Sequence, residues 1–285
     1  MKINPKRLLL GTANFKTKYG FKSFFISQKN SQDIINLAER RNIDGFDIST
    51  NYNFINDIKK INFNKKNSIS LKISNKIYKN IYNIDKLRYF LNSSFNSPKK
   101  QKIDFILFHR SKDLFTKKGL KIYKILRFYK KIKKVLKIGV SVYDLNEVKK
   151  ILKAFKVDVL QIPLNVLDQR FIDPKLLRIL KKRKIELHAR SVFLQGLILD
   201  KNIAPKRLRE SIGLKKWFSY LKANKLNSLS ESLNFINQQK HIKKIIIGVR
   251  SKSQLDKILN VNFFKKKDYS EFKNSNINLI DPRKW

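Results

Sequence analysis

Short apolar runs alternate with longer amphipathic stretches along this chain. Nearly continuous apolar runs are typical of β-strands that are buried on both faces. They predict eight strands, over Arg7–Thr12, Gly45–Thr50, Ser68–Ile73, Ile103–His109, Leu136–Val142, Val157–Pro163, Ile185–Ser191 and Lys244–Val249. The stretches between them are long enough for crossover helices. Eight such units favour an α/β fold of the (β/α)8 or TIM-barrel type over an open doubly wound sheet, in a single domain spanning residues 1–285.

Several of the amphipathic stretches carry specific helix signals. Ser31 predicts an N-cap for a helix over Gln32–Arg41, and Ser228 with Glu231 has the spacing of a capping box. The segment 201–227 is longer than an ordinary strand–helix loop, and we expect an additional helix over Leu214–Leu221 within it. No Gly-rich GxGxxG loop follows a predicted strand, which further disfavours a Rossmann-type sheet.

The chain is strongly basic, with 65 Lys and Arg against 21 Asp and Glu and a formal net charge of +44. Clustered Lys and Arg can bind the phosphates of nucleic acids or of an anionic membrane. The same excess can arise from compositional drift, because Lys, Asn, Ile, Phe and Tyr have AT-rich codons and are abundant here, whereas Gly (8) and Pro (6) are scarce. We favour drift and do not expect a nucleic-acid partner, since no nucleic-acid-binding motif accompanies the charge.

The segment 117–137 concentrates this charge, with ten Lys or Arg and no acidic residue. Its apolar residues fall on one face at helical spacing, namely Ile122, Ile125, Leu126, Tyr129 and Ile132. We interpret the segment as an outer barrel helix with a solvated lysine face, and a polyanion site is the alternative.

The composition excludes several kinds of site. The absence of cysteine excludes disulfides and thiolate chemistry, and three widely separated histidines do not favour a metal site. The sequence contains no run of about 18 apolar residues, so it predicts no membrane span. The segment 1–7 leads into Leu8, Leu9 and Leu10, a run too short for the core of a signal peptide. We therefore expect a cytoplasmic enzyme of unknown oligomeric state.

Four residues with complementary chemistry lie at or just after predicted strand ends. They are Asp47 and Tyr52 on the second strand and its loop, Lys72 on the third strand and His109 on the fourth. In a (β/α)8 barrel, the carboxyl ends of the strands build the active site, so these side chains converge at one mouth. A lysine ammonium favours the phenolate form of a nearby tyrosine, and a carboxylate holds that lysine charged. The set predicts a proton-transfer site.

These residues and their surroundings resemble the aldo-keto reductase superfamily over nearly the full chain. Residues 45–52, GFDISTNY, are similar to the family motif FDTAxxYG, and Lys72 and His109 match the family's lysine and histidine positions. Further similarities lie in segments 10–13 (LGTA), 139–141 (GVS), 161–165 (QIPLN), 190–197 (RSVFLQGL) and 247–255 (IGVRSKSQL). The segment 280–285 (IDPRKW) resembles a bacterial branch associated with sugar and surface-polysaccharide genes.

The resemblance implies an NADPH-dependent oxidoreductase that reduces an aldehyde or ketone, with sugar-derived carbonyls among the candidate substrates. The nicotinamide would deliver hydride to the carbonyl carbon, and Tyr52 would donate the proton to its oxygen. Lys72 and Asp47 would tune Tyr52, and His109 would orient the carbonyl. NADH is the alternative cofactor, and the composition already gave no reason to expect a metal.

The resemblance also assigns the cofactor-binding residues. Ser141 and Gln161 would bind the carboxamide, and Arg250 and Ser251 the 2′-phosphate, where a guanidinium fork suits a dianion. The N-terminus of the last helix adds a positive end for phosphate. Ser251 and Gln254 also have the spacing of a plain capping pair. The remaining candidates are Gly11, Thr12, Arg190, Gly248 and Gln254.

Some cofactor positions depart from the family pattern. Arg190 stands where many members stack a tyrosine on the nicotinamide, Val142 replaces an asparagine, and Ile258 replaces an adenine-contacting asparagine. These departures keep open a second function, a nucleotide-binding or regulatory module with slow turnover on the same barrel. Substrate specificity in such barrels lies in the loops, whose candidate pocket-wall residues are Tyr19, Phe54, Arg110, Phe193 and Trp217.

Overall fold

Eight parallel strands close into a barrel in chain order, which confirms the predicted (β/α)8 fold. The computed structural model describes residues 2–15, 21, 26–52, 66–74, 103–263 and 266–285. The strands are β1 (Leu8–Gly11), β2 (Gly45–Ser49), β3 (Ser68–Ile73), β4 (Ile103–Phe108), β5 (Val135–Ser141), β6 (Val159–Pro163), β7 (Glu186–Arg190) and β8 (Ile242–Gly248). Their ends differ from the predicted ones by no more than two residues.

Helices follow the strands on the outside of the barrel. The α-helices of the described residues are α1 (Gln28–Arg40), α2 (Lys117–Lys131), α3 (Leu145–Ala154), α4 (Pro174–Lys182), α5 (Lys206–Arg209), α6 (Ile212–Ala223), α7 (Ser228–Gln238), α8 (Lys252–Asn260) and α9 (Ile277–Ile280). The additional helix expected over Leu214–Leu221 is confirmed by α6. The stretches expected to hold the helices after β2 and β3 lie largely outside the described residues.

Successive residues of β4 belong to two separate apolar clusters. On β4, Ile106 and Phe108 belong to the large core between the sheet and the helices, whereas Phe105 and Leu107 form a small cluster with Val159. Because successive strand residues point to opposite faces, this small cluster fills the inside of the barrel. The carboxyl ends of the strands lie above it and remain available for polar side chains.

Close strand approach in the barrel requires glycine at two positions. A β-carbon on Gly45, the first residue of β2, would lie 1.8 Å from the carbonyl oxygen of Ser68. A β-carbon on Gly139 would lie 2.5 Å from the carbonyl oxygen of Val159. These two glycines let β2 and β5 approach their neighbours and so set the height of the polar residues that follow them.

Two predicted helix caps are wrong. Ser27 caps α1, accepting a 3.2 Å hydrogen bond from the Asn30 backbone N–H, while Ser31 lies inside the first turn and donates back to the Ser27 carbonyl. Asn227 caps α7, because its side chain accepts from the backbone N–H of Ser230. In both cases, a competing cap residue precedes the predicted one by one to four positions.

Glu231 therefore does not complete a capping box. Its carboxylate is buried and accepts hydrogen bonds from Lys267 Nζ at 3.0 Å and from the Tyr269 hydroxyl at 2.9 Å. A buried carboxylate needs such partners to offset its lost hydration. Glu231 thus links α7 to the segment that follows α8.

The basic segment forms an outer helix, α2, as expected. Thr116 caps it, since its Oγ1 accepts from the Gly119 N–H at 2.9 Å. Ile122, Leu126 and Tyr129 are buried, but Ile132 is 44% exposed, because it lies just past the helix end and leaves the apolar face. Within the described part of the chain, no helix is long and apolar enough to cross a membrane.

Candidate active site

The carboxyl ends of the strands open into a cavity of about 660 Å³. Asp47, Tyr52, Lys72 and His109 all line this cavity, so the structure brings the four predicted residues together. The strand register explains the convergence. Asp47 of β2 is paired with Ser70 of β3, and Lys72 of β3 is paired with Leu107 of β4, two residues before His109.

A buried ion pair between Asp47 and Lys72 lies at the centre of the site. The Lys72 Nζ and Asp47 Oδ1 are 2.5 Å apart, and the side chains are only 6% and 2% exposed. The other carboxylate oxygen of Asp47 accepts from Gln161 Nε2 at 2.8 Å and from Ser70 Oγ at 3.1 Å. Such complete hydrogen bonding is what allows a charge pair to persist away from water.

Lys72 connects this pair to Tyr52. The Lys72 Nζ lies 5.4 Å from the centroid of the Tyr52 ring, and its positive charge acts to lower the pKa of the phenol. Burial opposes the charge on Lys72, but the charges of Asp47 and Tyr52 together raise its pKa. Lys72 therefore carries a positive charge beside the phenol across the neutral pH range.

Tyr52 differs from the sequence-based expectation in one respect. Burial raises the pKa of its phenol, and the lowering effect of Lys72 is smaller than this burial effect. The prediction that Lys72 lowers the pKa of Tyr52 is right for the interaction between these two residues. It is wrong for the net shift, which is upward. Tyr52 is therefore protonated at neutral pH, which suits a proton donor better than a base.

The imidazole of His109 completes the cluster. Its ring meets the Tyr52 ring edge-on, with centroids 6.1 Å apart. Burial lowers the pKa of His109 from 6.5 to about 3, and the positive charges of Lys72 and Arg190 act in the same direction. The ring is therefore neutral at physiological pH and offers one hydrogen-bond donor and one acceptor.

This shift gives a testable dependence of stability on pH. Between about pH 3 and 6.5, the unfolded chain holds a proton on His109 that the folded protein does not. The free energy of unfolding should therefore rise with pH in this window, by up to about 1.4 kcal/mol per pH unit from this group. Urea denaturation from pH 4 to 7 should show a shallower rise for His109→Gln than for the wild type. Parallel curves would contradict the assigned shift.

The predicted cofactor residues divide into two groups. Gly11, Ser141, Arg190, Gly248, Arg250 and Gln254 line the cavity. Thr12, Gln161 and Ser251 do not line it, and each bonds within the protein. Thr12 donates from both its N–H and its hydroxyl to the Asp47 carbonyl, and Gln161 holds the Asp47 carboxylate. These contacts position the ion pair rather than face a ligand.

The first turn of α8 contains the other members of the predicted set. Ser251 is its N-cap, with its Oγ 3.2 Å from the Gln254 N–H, and the Gln254 Oε1 accepts from the Arg250 N–H at 2.8 Å. The capping interpretation of Ser251 and Gln254 is thus confirmed. Gln254 also lines the cavity, so capping and ligand contact coexist at this residue.

Arg190 forms a fixed, planar surface in the cavity wall. Its Nε donates to Ser141 Oγ at 3.2 Å, its Nη2 donates to the Val142 carbonyl at 3.0 Å, and its guanidinium carbon lies 3.9 Å from the centroid of the Tyr143 ring. The guanidinium carbon of Arg283 lies 3.6 Å from the same centroid. Two guanidinium groups this close to one ring centroid would overlap if they lay on the same face of the ring. The Tyr143 ring is therefore held between the guanidinium groups of Arg190 and Arg283.

Several residues of the site were not predicted from the sequence. Ser70 precedes Lys72 by two positions and Tyr143 follows Ser141 by two, so the period of a strand could have placed both near the site. Among the suggested wall residues, Phe193 lines the cavity, whereas Trp217 is buried and donates to the Ile198 carbonyl. Arg110 is exposed, and Tyr19 and Phe54 lie outside the described residues.

Comparison with known families gives the class of protein that carries this barrel and the cluster at its mouth, an oxidoreductase enzyme. The sequence model of the Aldo/keto reductase family matches residues 7–277. This match covers most of the 285 residues, and the chain therefore belongs to the aldo/keto reductase family. The family uses nicotinamide cofactors, and a small carbonyl substrate fits it. No curated protein matches the sequence.

Solved structures share the fold at low sequence identity. An aldo-keto reductase from Bacillus halodurans in its holo form aligns with a TM-score of 0.72 and 11% identity, over 98% of this chain and 95% of that one. An aldo-keto reductase from Klebsiella pneumoniae in complex with NADPH aligns at 0.67 and 10%, over 96% and 94%. The glycerol dehydrogenase from Gluconobacter oxydans aligns at 0.62 and 14%, over 97% and 92%.

Proposed function

We propose that this protein is an NADPH-dependent reductase of aldehydes or ketones, with Tyr52 as the proton donor. The observation that carries the proposal is the set of contacts that Gln161, Ser70 and Lys72 make with Asp47, together with the Lys72 ammonium 5.4 Å from the centroid of the Tyr52 ring. The proposal is supported by the protonated phenol and the fixed positive charge of Lys72, which both line the cavity. That arrangement suits protonation of an oxygen on which negative charge develops.

The residues of the site act in a defined order. A substrate carbonyl placed between Tyr52 and His109 is oriented by the imidazole, which is neutral and can hydrogen-bond its oxygen. When bound, the reduced nicotinamide supplies the hydride that reduces the carbonyl carbon. Tyr52 gives its proton to the oxygen, and the resulting phenolate is stabilised by the ammonium of Lys72. Asp47 keeps Lys72 charged and in place throughout.

The cavity carries groups that suit a dinucleotide phosphate. Arg250 and Gln254 line it beside the N-terminus of α8, where the positive end of the helix dipole favours a phosphate. The guanidinium plane of Arg190, backed by Tyr143, provides a flat surface on which a nicotinamide ring can stack. These contacts support NADPH over NADH, because the guanidinium of Arg250 would add a charged hydrogen bond to a 2′-phosphate.

One observation favours the second function, a nucleotide-binding module with slow turnover. Ser141 and Gln161, the expected ligands of the carboxamide, are already bonded to Arg190 and Asp47. A nicotinamide that lacks these contacts would be held less firmly for hydride transfer. Tight binding of nucleotide without reduction of a carbonyl would be the mark of such a module.

A turnover assay separates these functions. The purified protein is mixed with NADPH or NADH and a panel of aliphatic aldehydes, aromatic aldehydes and sugar-derived carbonyls, and oxidation of the nucleotide is followed by absorbance. We expect turnover with at least one carbonyl class and faster turnover with NADPH. Nucleotide binding without oxidation across the panel would instead support the slow module, and failure to bind either nucleotide would contradict both functions.

A further inference from the structure

We infer that Ser49 and Asn51 are positioning residues that hold His109 with its proton on Nε2, the ring nitrogen left for the substrate carbonyl. The inference deepens the proposed reductase function and rests on it for the role of the carbonyl. The tautomer itself is a property of the protein alone and can be measured without turnover.

The contact between Ser49 and His109 fixes one side of the ring. Ser49 ends β2 and lies on the same strand face as Asp47, one pleat closer to the mouth. Its Oγ is 2.9 Å from His109 Nδ1 and also accepts the Asn51 backbone N–H at 3.2 Å. Ser49 is fully buried, so its own hydroxyl proton needs an acceptor inside the protein. Nδ1 is the acceptor within reach.

The amide of Asn51 also favours Nδ1 as a hydrogen-bond acceptor. Its Oδ1 accepts a hydrogen bond of 2.5 Å from Ser74 Oγ, which turns its Nδ2 toward His109 Nδ1 at 3.5 Å. An amide nitrogen only donates, and a proton on Nδ1 would face it directly. Two donors therefore converge on Nδ1.

A contact between Thr50 and Ser74 holds the Asn51 side chain in this orientation. Thr50 Oγ1 accepts the Ser74 backbone N–H at 3.0 Å and lies 3.1 Å from Ser74 Oγ. The Thr50 hydroxyl is thereby free to donate to Ser74 Oγ, and Ser74 in turn donates to Asn51. The hydrogen bonds thus run in one direction, from Thr50 to Ser74, from Ser74 to Asn51 and from Asn51 to the imidazole.

The consequence for the site follows from the chemistry of neutral imidazole, which carries one proton. If Nδ1 accepts, the proton lies on Nε2. In the described residues, the hydrogen bonds of the ring lie on Nδ1, and His109 lines the cavity. The ring therefore presents a donor, rather than a lone pair, to a carbonyl oxygen. The opposite tautomer would repel that oxygen.

Nitrogen NMR on protein labelled with ¹⁵N-histidine tests the inference, since protonated and unprotonated ring nitrogens give well-separated signals. With only three histidines in the chain, His109→Gln assigns the signals. We expect a single Nε2–H tautomer in the wild type and a mixture of tautomers in Ser49→Ala. Asn51→Asp, which replaces the donor by an acceptor, should move the proton to Nδ1, and it serves as the second variant if Ser49→Ala does not fold.

The matched control is Ser232→Ala. Ser232 is equally buried, lies on α7 and does not line the cavity, so its removal should leave the His109 signals unchanged. If the wild type carries its proton on Nδ1, or if Ser49→Ala and Asn51→Asp leave the tautomer unchanged, the inference is overturned.

Kinetics add a readout that depends on the proposed function. Loss of one hydrogen bond to the ring should lower kcat in Ser49→Ala about tenfold while leaving the Kd for NADPH unchanged. An unchanged kcat would overturn the link between the tautomer and the reaction. A protein without turnover on the carbonyl panel would contradict the reductase function, whereas the NMR result would still decide the tautomer.

Discussion

Replacing Tyr52 with phenylalanine is expected to lower kcat for carbonyl reduction by about 10²–10⁴, the usual contribution of a positioned proton donor. The substitution keeps the ring and its edge-on contact with His109 but removes the phenolic proton on the ring beside Lys72. Because the phenol lies at the mouth of the cavity and not at α8, nucleotide affinity should remain unchanged. Steady-state kinetics and fluorescence titration with NADPH measure the two effects separately.

Tyr123→Phe is the matched control for that experiment. Its hydroxyl donates to the Lys156 carbonyl at 2.8 Å and accepts from the Lys156 N–H at 3.2 Å, so this variant also loses a phenolic hydroxyl but lies away from the cavity. Its kcat should equal that of the wild type. Equal turnover by Tyr52→Phe would show that another group protonates the substrate and would remove the central residue from the proposed mechanism.

The second large effect concerns the stability of the buried ion pair. Lys72→Met removes the cation and leaves the carboxylate of Asp47 buried with only neutral donors, Gln161 and Ser70. Breaking a buried pair from one side typically costs about 3–5 kcal/mol, because a charge remains without compensation. Urea denaturation at pH 7 should show this loss, and the variant should also lose turnover.

The double variant Asp47→Asn with Lys72→Met separates charge from packing. It removes both charges, so we expect it to recover most of the lost free energy of unfolding while remaining inactive. Lys130→Met is the control, since the Lys130–Asp158 pair is about one third exposed and should contribute no more than about 1 kcal/mol. A double variant as unstable as the single one would mean that the shape of Lys72, and not its charge, stabilises the fold.

The fold could be predicted from local patterns because it depends on them. Each strand is an apolar run bounded by polar residues, and the barrel follows from eight such runs separated by amphipathic stretches. The caps at Ser27 and Asn227 could not be placed with the same certainty, since several Ser and Asn residues compete within a few positions and the choice depends on how the helix docks. The position of Ile132 was mispredicted for a similar reason, because the end of the helix at Lys131 could not be read from the spacing of apolar residues.

The site was only partly predictable, for a different reason. Asp47, Lys72 and His109 lie on strands whose order and direction fix where their side chains meet. The direction of Gln161 toward Asp47, and of Ser49 toward His109, depends on rotamers and on the height of one strand relative to another. The contact of Arg283 with Tyr143 joins residues 140 positions apart, and Arg283 lies in a short 3-10 helix, Pro282–Lys284, that no periodicity describes.

The small apolar cluster inside the barrel has a consequence for how this enzyme could change. Phe105, Leu107 and Val159 separate the polar layer at the mouth from the amino-terminal end of the barrel, and they belong to a different cluster from the core beneath the helices. Substitutions that share no partners usually have additive effects on stability. New substrates could therefore be accommodated by changing residues at the mouth, while the outer shell keeps the chain folded.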